Sequence, residues 1–217
     1  MSIIHGDCLV EMSGLGDDSV SLVLTDIPYG VVNRASGWAK SRFTLDMGKA
    51  DVVTFNLEDF VDACCRICSG SIYIFCSTEQ VSSIRSSLVR NGLSTRLCIW
   101  QKSNPSPMNG QHIWLSGVEC CVYGKYAGAT FNEHCKNTVW KYPVGRNRLH
   151  PTQKPRALFE YLIGASSNKG DLVLDPCAGS GTTGVACQNL GREYILIEKE
   201  LEYYQICLDR LKGQELE

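Results

Sequence analysis

The stretch TDIPYG, residues 25–30, places an acid, a proline, an aromatic ring and a glycine at the end of the apolar run SLVL. A strand that ends in Asp26 is awkward as part of a core, because a buried carboxylate needs partners. An ordinary strand-to-turn boundary would explain Pro28 and Gly30, but it would not explain Asp26 beside Tyr29. The stretch therefore predicts a ligand site at a strand end.

A second strand end carries a glycine-rich loop, in DLVLDPCAGSGTTGVACQNLGREYILIE, residues 171–198. The strand ends at Asp175, a helix begins near Thr182, and the next strand ends in Glu198. An acid about 20 residues on commonly binds the hydroxyl pair of a ribose. The loop lacks the Lys-Ser or Lys-Thr of a phosphate loop, and GSGTTG is preceded by an acid and a proline, unlike the dinucleotide fingerprint. The pattern favours a nucleoside site over a plain tight turn.

Alternating strands and helices must position these two strand ends. Apolar runs predict strands at SIIH, SLVLTD, SIYIFC, LCIW, VECCVY, DLVLD and EYILIE. Helical periodicity predicts helices at NLEDFVDACCRIC, STEQVSSIRSSLVRNG, KPRALFEYLIGA, TTGVACQNLG and LEYYQICLDRL. Such alternation predicts a mostly parallel sheet with helices on both faces. Residues 31–50 and 103–149 break the pattern, and loops this long are usually lids or binding elements.

The composition is typical of a globular domain. The 217 residues are 44% apolar and 20% charged, and no apolar run approaches the ~20 residues of a membrane span. The N-terminus lacks the basic and long apolar regions of a secretory signal. Twelve cysteines without a signal suggest a reducing compartment, so we expect a cytoplasmic protein that has no membrane partner.

One Cys-x-x-Cys, formed by Cys65 and Cys68, raises the question of zinc. A zinc site needs a second pair of ligands at suitable spacing, and none stands out. Cys64 and Cys68 instead continue the helical spacing that begins at Leu57. We therefore expect these cysteines in a core helix and expect no metal.

The net charge of −2 hides an asymmetry along the chain. Residues 81–156 hold 11 Lys and Arg against two acids, Glu119 and Glu133, whereas the remainder is net negative. Charge clusters are usually solvated faces. A segment this basic inside an acidic protein is better explained by a polyanionic partner.

Together these motifs resemble the amino-methyltransferases that modify exocyclic amines of DNA bases. TDIPYG resembles their D-P-P-Y catalytic motif, LDPCAGSGTT their S-adenosylmethionine loop, and LHPTQKP the segment just ahead of that loop. IWQKSNPSP and VECCVYGK are similar to mid-chain motifs, so the resemblance runs from IIHGDCL to about CLDRL. The catalytic motif comes first and the cofactor loop last, which is the order of the permuted β class.

The resemblance implies a fold. We expect one α/β methyltransferase domain over residues 1–217, built on a single doubly wound, mostly parallel sheet of the Rossmann-like type, permuted, with a small loop-rich recognition lobe. It also implies site-specific transfer of a methyl group from S-adenosylmethionine to the N6 amine of adenine, in a base flipped out of double-stranded DNA.

The same resemblance assigns roles at TDIPYG. Asp26 and the backbone carbonyl of Ile27 would each accept one N–H of the amine, which pulls its lone pair out of conjugation with the ring. Pro28 keeps residue 27 extended, and Tyr29 would stack on the base, worth ~1–3 kcal/mol in comparable complexes. In-line placement would supply most of the rate, without a metal or a covalent enzyme intermediate.

For the cofactor, the resemblance implies that Asp7 and the amide of Cys8 meet the adenine and that Glu198 takes the ribose. Thr152 and Lys154 would line the amino-acid end. The methionine part would lie against a loop formed by Asp175, Pro176, Cys177, Ala178, Gly179, Ser180, Gly181 and Thr182.

The sequence departs from the family pattern in three ways. Ile27 replaces the first proline of the catalytic motif but keeps the carbonyl. Cys177 replaces the usual phenylalanine of the cofactor loop and is smaller, which bears on cofactor affinity rather than on the reaction type. The chain also lacks a large inserted recognition domain, so target recognition must come from loops.

Residues 103–149, with the loop 31–50, are therefore expected to form the DNA target-recognition region. The residues expected to contact DNA are Lys40, Arg42, Lys102, Asn104, Lys141, Arg146 and Arg148. A homodimer and a cognate restriction enzyme are partners that the resemblance leaves open.

Three other functions remain open at this point. Methylation of the N4 amine of cytosine needs a similar geometry, but family members that act on cytosine tend to have Ser in place of Asp26. RNA-base methyltransferases usually have the cofactor loop first. A catalytically idle DNA- or nucleoside-binding module would not need Asp26, Pro28, Tyr29 and the glycine loop intact.

Overall fold

The computed structural model describes residues 1–30, 53–107, 110–145 and 153–213. In these residues, six helices cover one eight-stranded sheet. The strands are β1 (Ser2–His5), β2 (Val20–Asp26), β3 (Cys68–Cys76), β4 (Ser94–Lys102), β5 (Val118–Lys125), β6 (Val139–Tyr142), β7 (Leu172–Asp175) and β8 (Glu193–Glu198). The helices are α1 (Cys8–Ser13), α2 (Leu57–Ile67), α3 (Val81–Arg90), α4 (Arg156–Ser166), α5 (Thr182–Leu190) and α6 (Leu201–Leu211).

The strands follow the order β1-β8-β7-β2-β3-β5-β4-β6. β5 runs antiparallel to its neighbours β3 and β4, whereas the other pairings are parallel. The prediction of a mostly parallel sheet is confirmed. Ser2 of β1 lies opposite Ile195 of β8, and the ammonium group of Met1 lies 3.1 Å from the Glu193 carboxylate. The first strand of the chain therefore continues the sheet from the last, as a permuted order requires.

Helices pack on both faces of the sheet. Successive side chains of a strand point to opposite faces, so Val23 packs in one core with α1, α2 and α3, whereas Leu22 and Leu24 pack in another with α4, α5 and α6. Phe60 of α2 and Phe159 of α4 are buried in these two cores. Each such side chain contributes roughly 1.5–3 kcal/mol by burial. The doubly wound architecture is confirmed.

All seven predicted strands and all five predicted helices are present, although α3 begins four residues later than predicted. Two short elements, α1 and β6, were not predicted. α1 has only six residues, too few to display a helical period. β6 forms because its four residues pair with the end of β4, where the Trp100 indole N–H donates to the Tyr142 carbonyl at 2.9 Å. Both elements depend on contacts far apart in the sequence.

The predicted loop 31–50 lies outside the described residues, and the segment 103–149 is described only in part. Cys64, Cys65 and Cys68 are buried at the end of α2 and the start of β3. Across the described ranges, no helix is both long enough and apolar enough to cross a membrane.

Candidate active site

The Asp26 carboxylate lies against the Lys154 ammonium group, with Oδ2 and Nζ 2.5 Å apart. Asp26 is the last residue of β2, near the middle of the sheet, and Lys154 lies two residues ahead of α4. The carboxyl ends of parallel strands share one sheet edge, where open α/β sheets bind ligands. Because the Lys154 side chain is only 2% exposed, this is a buried ion pair at the ligand-binding edge.

A second carboxylate, that of Glu119, completes the ionic cluster. Its Oε2 lies 3.0 Å from the ammonium of Lys154 and accepts the Tyr29 hydroxyl at 3.0 Å. Its Oε1 lies 2.8 Å from the ammonium of Lys102. Glu119 reaches the site because β5 runs antiparallel and therefore begins at the edge where β2 ends.

The two carboxylates differ in their proton affinity. Burial raises the pKa of Asp26 to about 6, against the opposing effect of the nearby Lys154 charge. Burial would also raise the pKa of Glu119, but the charges of Lys154 and Lys102 lower it to about 2. Burial alone would lower the pKa of Lys154, yet the two carboxylates raise it. At neutral pH the cluster thus holds an ionised Glu119 and an ionised lysine beside an Asp26 close to its titration range.

Oδ1 of Asp26 is a buried acceptor with no hydrogen-bond partner among the residues that the structure describes. Leaving such an acceptor unsatisfied costs about 1–3 kcal/mol, which an incoming donor would remove. The ring of Tyr29 lies nearby, with its centroid 5.1 Å from the Lys154 ammonium. A free acceptor and a flat ring therefore sit together at one strand end.

The backbone of this turn is fixed by two hydrogen bonds. The Ile27 N–H donates to the Phe75 carbonyl at 3.2 Å, and the Pro28 carbonyl accepts from Nε2 of Gln80 at 3.0 Å. The Ile27 side chain is 2% exposed and packs in the core. The core thus accommodates the isoleucine that replaces the expected proline.

A cavity joins the turn at residues 26–30 to the glycine loop, and Asp26, Ile27, Pro28 and Tyr29 line it. The residues predicted to bind the cofactor that also line it are Asp7, Cys8, Lys154, Asp175, Pro176, Cys177, Ala178, Gly179, Ser180, Thr182 and Glu198. Gly181 does not line the cavity, and Thr152 lies outside the described residues.

Several of these acids also hold the protein's own backbone. Asp175 accepts the Cys177 N–H at 3.1 Å and the Thr183 hydroxyl, and burial raises its pKa to about 7. Glu198 accepts the N–H groups of Gly179 at 2.7 Å and of Glu200 at 2.8 Å. The Asp175 carboxylate thus mainly holds the loop in place, whereas the Glu198 carboxylate keeps lone pairs that can accept further hydrogen bonds.

Asp7, at the other end of the cavity, caps α1. Its Oδ1 accepts the Leu9 N–H at 3.1 Å, and its Oδ2 lies 3.2 Å from the Lys199 ammonium. The neighbouring thiol of Cys8 forms a hydrogen bond with Cys177, which lowers the pKa of Cys8 and raises that of Cys177. Cys177, where a phenylalanine was expected, therefore packs against the start of α1.

The glycine loop needs Gly181 for two reasons. Its φ of +77° lies in the left-handed region, and a Cβ at this position would lie 2.6 Å from Sγ of Cys207. Gly181 is the N-cap of α5, so the loop passes close over α6 before the helix begins. A side chain here would have to displace α6 or the cavity wall.

The residues predicted to contact DNA differ in the partners and exposure of their side chains. Lys102 is engaged with Glu119 and only 15% exposed. Asn104 uses its amide on the backbone of Val144, which donates to Oδ1 at 2.6 Å and accepts from Nδ2 at 3.1 Å. Lys141 is exposed on β6. The other four, Lys40, Arg42, Arg146 and Arg148, lie outside the described residues.

Sequence reasoning missed the roles of Glu119 and Gln80. Glu119 was recognised only as part of a strand and as an acid in a basic segment. Its signal was available, because it is one of two acids in the basic segment 81–156. Lys154 was expected at the cofactor's amino-acid end, and the structure places its ammonium on Asp26 as well as in the cavity wall. No local pattern pointed to the bond between Gln80 and Pro28.

Comparison with known proteins agrees with this geometry. A family model described as DNA methylase matches residues 109–209. The chain is 31% identical to the DNA adenine methyltransferase YhdJ of Escherichia coli (strain K12), over 97% of this chain and 82% of the relative. It is 29% identical to the type II methyltransferase M2.DpnII of Streptococcus pneumoniae, over 99% of this chain and 90% of the relative.

Solved structures show the same architecture. The complex of M1.HpyAVI with SAM superposes with a TM-score of 0.74 at 30% identity, covering 97% of this chain and 98% of that one. The cytosine-N4-specific PvuII DNA methyltransferase has a TM-score of 0.74 at 16% identity, covering 100% of this chain and 88% of that one, which is a likeness of fold alone.

Proposed function

Since the chain belongs to the family of DNA methylases, we propose that it transfers a methyl group from S-adenosylmethionine to the N6 amine of adenine at a specific DNA sequence. The observation that carries the proposal is Oδ1 of Asp26, a buried acceptor without a described partner beside Tyr29 and the glycine-loop cavity. The name of the Escherichia coli relative, a DNA adenine methyltransferase, supports adenine over cytosine.

The cavity fits the cofactor by its donor set. When bound, S-adenosylmethionine supplies an electrophilic methyl group on a sulfonium. The carboxylates of Asp7 and Glu198 can accept N–H and O–H groups of a nucleoside, because each oxygen retains a lone pair beyond its backbone bond. The glycine loop between them offers backbone without bulky side chains.

The chain's own residues act on the amine. Asp26 Oδ1 and the carbonyl of Ile27 each accept one N–H, which turns the lone pair towards the cofactor side. Tyr29 stacks on the base and holds it out of the duplex, which offsets part of the few kcal/mol that flipping costs. Positioning of this kind supplies most of the rate.

We propose that residues 103–149, with residues 31–50, meet the DNA. The connection between β4 and β5 leaves the sheet at the Asp26 edge, and its described part exposes Ile113, Trp114 and Leu115 at 69%, 95% and 42%. Three consecutive exposed apolar side chains require a functional explanation. Proteins that distort DNA insert such side chains between bases, and a flipped base leaves a gap of this kind.

The positive charge of residues 81–156 supports the same face. Neutralising Lys141, Arg146 and Arg148 together should flatten the salt dependence of DNA binding, by up to about 0.9 in the slope for each phosphate that these side chains neutralise in the wild type. Cofactor affinity should stay unchanged. An unaltered slope would place the DNA on another face.

A second copy of the chain and a cognate restriction enzyme are further partners that we propose to test. We also propose a cytoplasmic location, which is supported by the free state of all 12 cysteines. Light scattering of the purified protein with and without DNA would show whether two copies of the chain associate.

The first decisive experiment measures the transfer of labelled methyl groups to DNA of mixed sequence. The second sequences DNA from cells that express the protein, by a method that distinguishes modified bases. We expect N6-methyladenine within one short sequence motif. N4-methylcytosine would transfer the proposal to cytosine. Binding of DNA without any transfer would indicate an idle module.

A further inference from the structure

Four charged side chains alternate in sign through the site. Asp26, Lys154, Glu119 and Lys102 are linked by contacts of 2.5, 3.0 and 2.8 Å. Their side chains are at most 18% exposed, so none of the charges is well solvated. Buried charges are stable only when paired, and this row contains two anions and two cations.

The reaction disturbs that balance. The amine lone pair forms the new N–C bond, and the electrons of the broken S–C bond remain on sulfur, which becomes a neutral thioether. The positive charge is left on the methylated nitrogen, which carries one proton too many. Oδ1 of Asp26 is a buried acceptor with no partner among the described residues, and Asp26 loses its negative charge when it takes that proton.

Lys154 would then be left with one of its two anionic partners. We propose that Glu119 is a positioning residue for methyl transfer, because it keeps Lys154 ionised and in place while Asp26 accepts the proton of the methylated amine. Lys102, on the other oxygen of Glu119, keeps that carboxylate ionised throughout. This inference rests on the function proposed above.

Glu119 has a second hold on the site through Tyr29. The Tyr29 hydroxyl donates to Oε2, the same oxygen that contacts Lys154. The stacking ring and the lysine are thus held by one atom, so a shift of Lys154 would also disturb the ring. Glu119 acts on the substrate only through these two residues.

The first test is Glu119→Gln, which keeps an acceptor for Tyr29 but removes the charge. We expect kcat to fall by about 10- to 100-fold, whereas the affinities for cofactor and DNA should change little. Lys154 would pair with Asp26 alone, so the acid limb of the kcat/KM profile should move to lower pH. A variant with wild-type kcat and an unmoved acid limb would overturn the proposal.

Lys102→Gln tests the network from its other side. Without Lys102, Glu119 would draw Lys154 more strongly and leave Asp26 less stabilised as an anion. The acid limb should therefore move to higher pH, opposite to the effect of Glu119→Gln. Shifts in the same direction in both variants would overturn the proposal.

Titration of Asp26 can be followed without turnover, by carbon-13 NMR of labelled aspartate in the protein free of cofactor and DNA. The resonance is assigned by its loss in Asp26→Asn. The pKa of Asp26 should fall in Glu119→Gln and rise in Lys102→Gln. The wild type could methylate DNA although these pKa shifts are absent, and the shifts could occur in a protein that does not methylate DNA. The role of Glu119 and the proposed function can therefore be refuted independently.

A matched control is Glu193→Gln. Glu193 begins β8 at the opposite sheet edge from Asp26 and pairs with the ammonium group of Met1 at 3.1 Å. Its loss changes the net charge by the same amount. We expect no change in kcat, in the pH profile or in the Asp26 resonance, and an equal shift in this variant would contradict a specific role for Glu119.

Discussion

Gln80 donates from Nε2 to the backbone carbonyl of Pro28 over 3.0 Å and so ties the start of α3 to the turn at residues 26–30. We expect Gln80→Ala to lower kcat/KM by about 3- to 10-fold, because one hydrogen bond contributes about 0.5–1.5 kcal/mol. Steady-state kinetics check this. Gln188→Ala, which removes hydrogen bonds to Tyr194 and Leu211, is the control and should leave kcat/KM unchanged.

Asp26→Ala should abolish methylation, because the acceptor for the amine is removed. Cofactor affinity should stay within about threefold, since the nucleoside end of the cavity is untouched. Calorimetric titration with S-adenosylmethionine and a transfer assay measure the two quantities. Near-normal turnover in this variant would refute the mechanism.

The pH dependence of catalysis should follow Asp26. Its carboxylate must be ionised to accept N–H, so kcat/KM should rise with pH through about 6. The free energy of unfolding should instead fall as the pH rises, because burial raises the pKa of Asp26 in the folded state above its pKa in the unfolded chain. The contribution of Asp26 to stability is full below about pH 4 and is lost as the pH rises through 6. Chemical unfolding across this range should show that loss, and Asp26→Asn should reduce it without removing it, because burial also raises the pKa of Asp175, to about 7.

Gly181→Ala should destabilise the protein by about 1–3 kcal/mol, because it forces a side chain into a left-handed backbone and against Cys207. Cofactor affinity should fall with it. The control is Gly164→Ala in α4, where an added Cβ has nothing within 4 Å. That variant should be as stable as the wild type or more stable by up to about 1 kcal/mol. Equal unfolding midpoints in the two variants would contradict this explanation.

Trp114→Ala should reduce methylation of duplex DNA by about tenfold, if the ring offsets part of the cost of flipping the base. A mismatch at the target base should restore most of the rate, since less stacking has to be broken. Val89→Ala, which trims another exposed apolar side chain on α3, should have no effect on either substrate. Equal decreases on duplex and mismatched DNA would show that Trp114 adds only non-specific affinity.

Much of the site was predictable because it is built from strand ends. Asp26, Tyr29 and Glu198 follow apolar runs that only strands explain, and parallel strands bring their carboxyl ends to one edge. The short linear motifs then identified the chemistry. The sequence therefore predicted the part of the cavity lining that these strand ends contribute, but not Thr54, Phe55, Phe159 and Tyr203, which line it as well.

The ionic row was not predictable by the same means. Glu119 enters through β5, whose antiparallel insertion between β3 and β4 leaves no mark in local sequence. Lys102 and Asn104 were predicted to contact DNA, and no local pattern showed that their side chains also bind Glu119 and Val144. Such pairings depend on which strand lies beside which, and local patterns do not contain that information.

The position of β2 has a consequence for how the protein folds during its synthesis. β2 is hydrogen-bonded to β3 on one side and to β7 on the other, and β7 lies about 150 residues further along the chain. At ribosomal rates the interval between their synthesis is roughly 8–30 s. During this interval, the edge of β2 that will pair with β7 has no partner. Since β2 is apolar on both faces, this edge can pair with a wrong strand. β2, the strand that ends in Asp26, thus depends on the last third of the chain to complete its pairing, and a chaperone would protect this strand in particular.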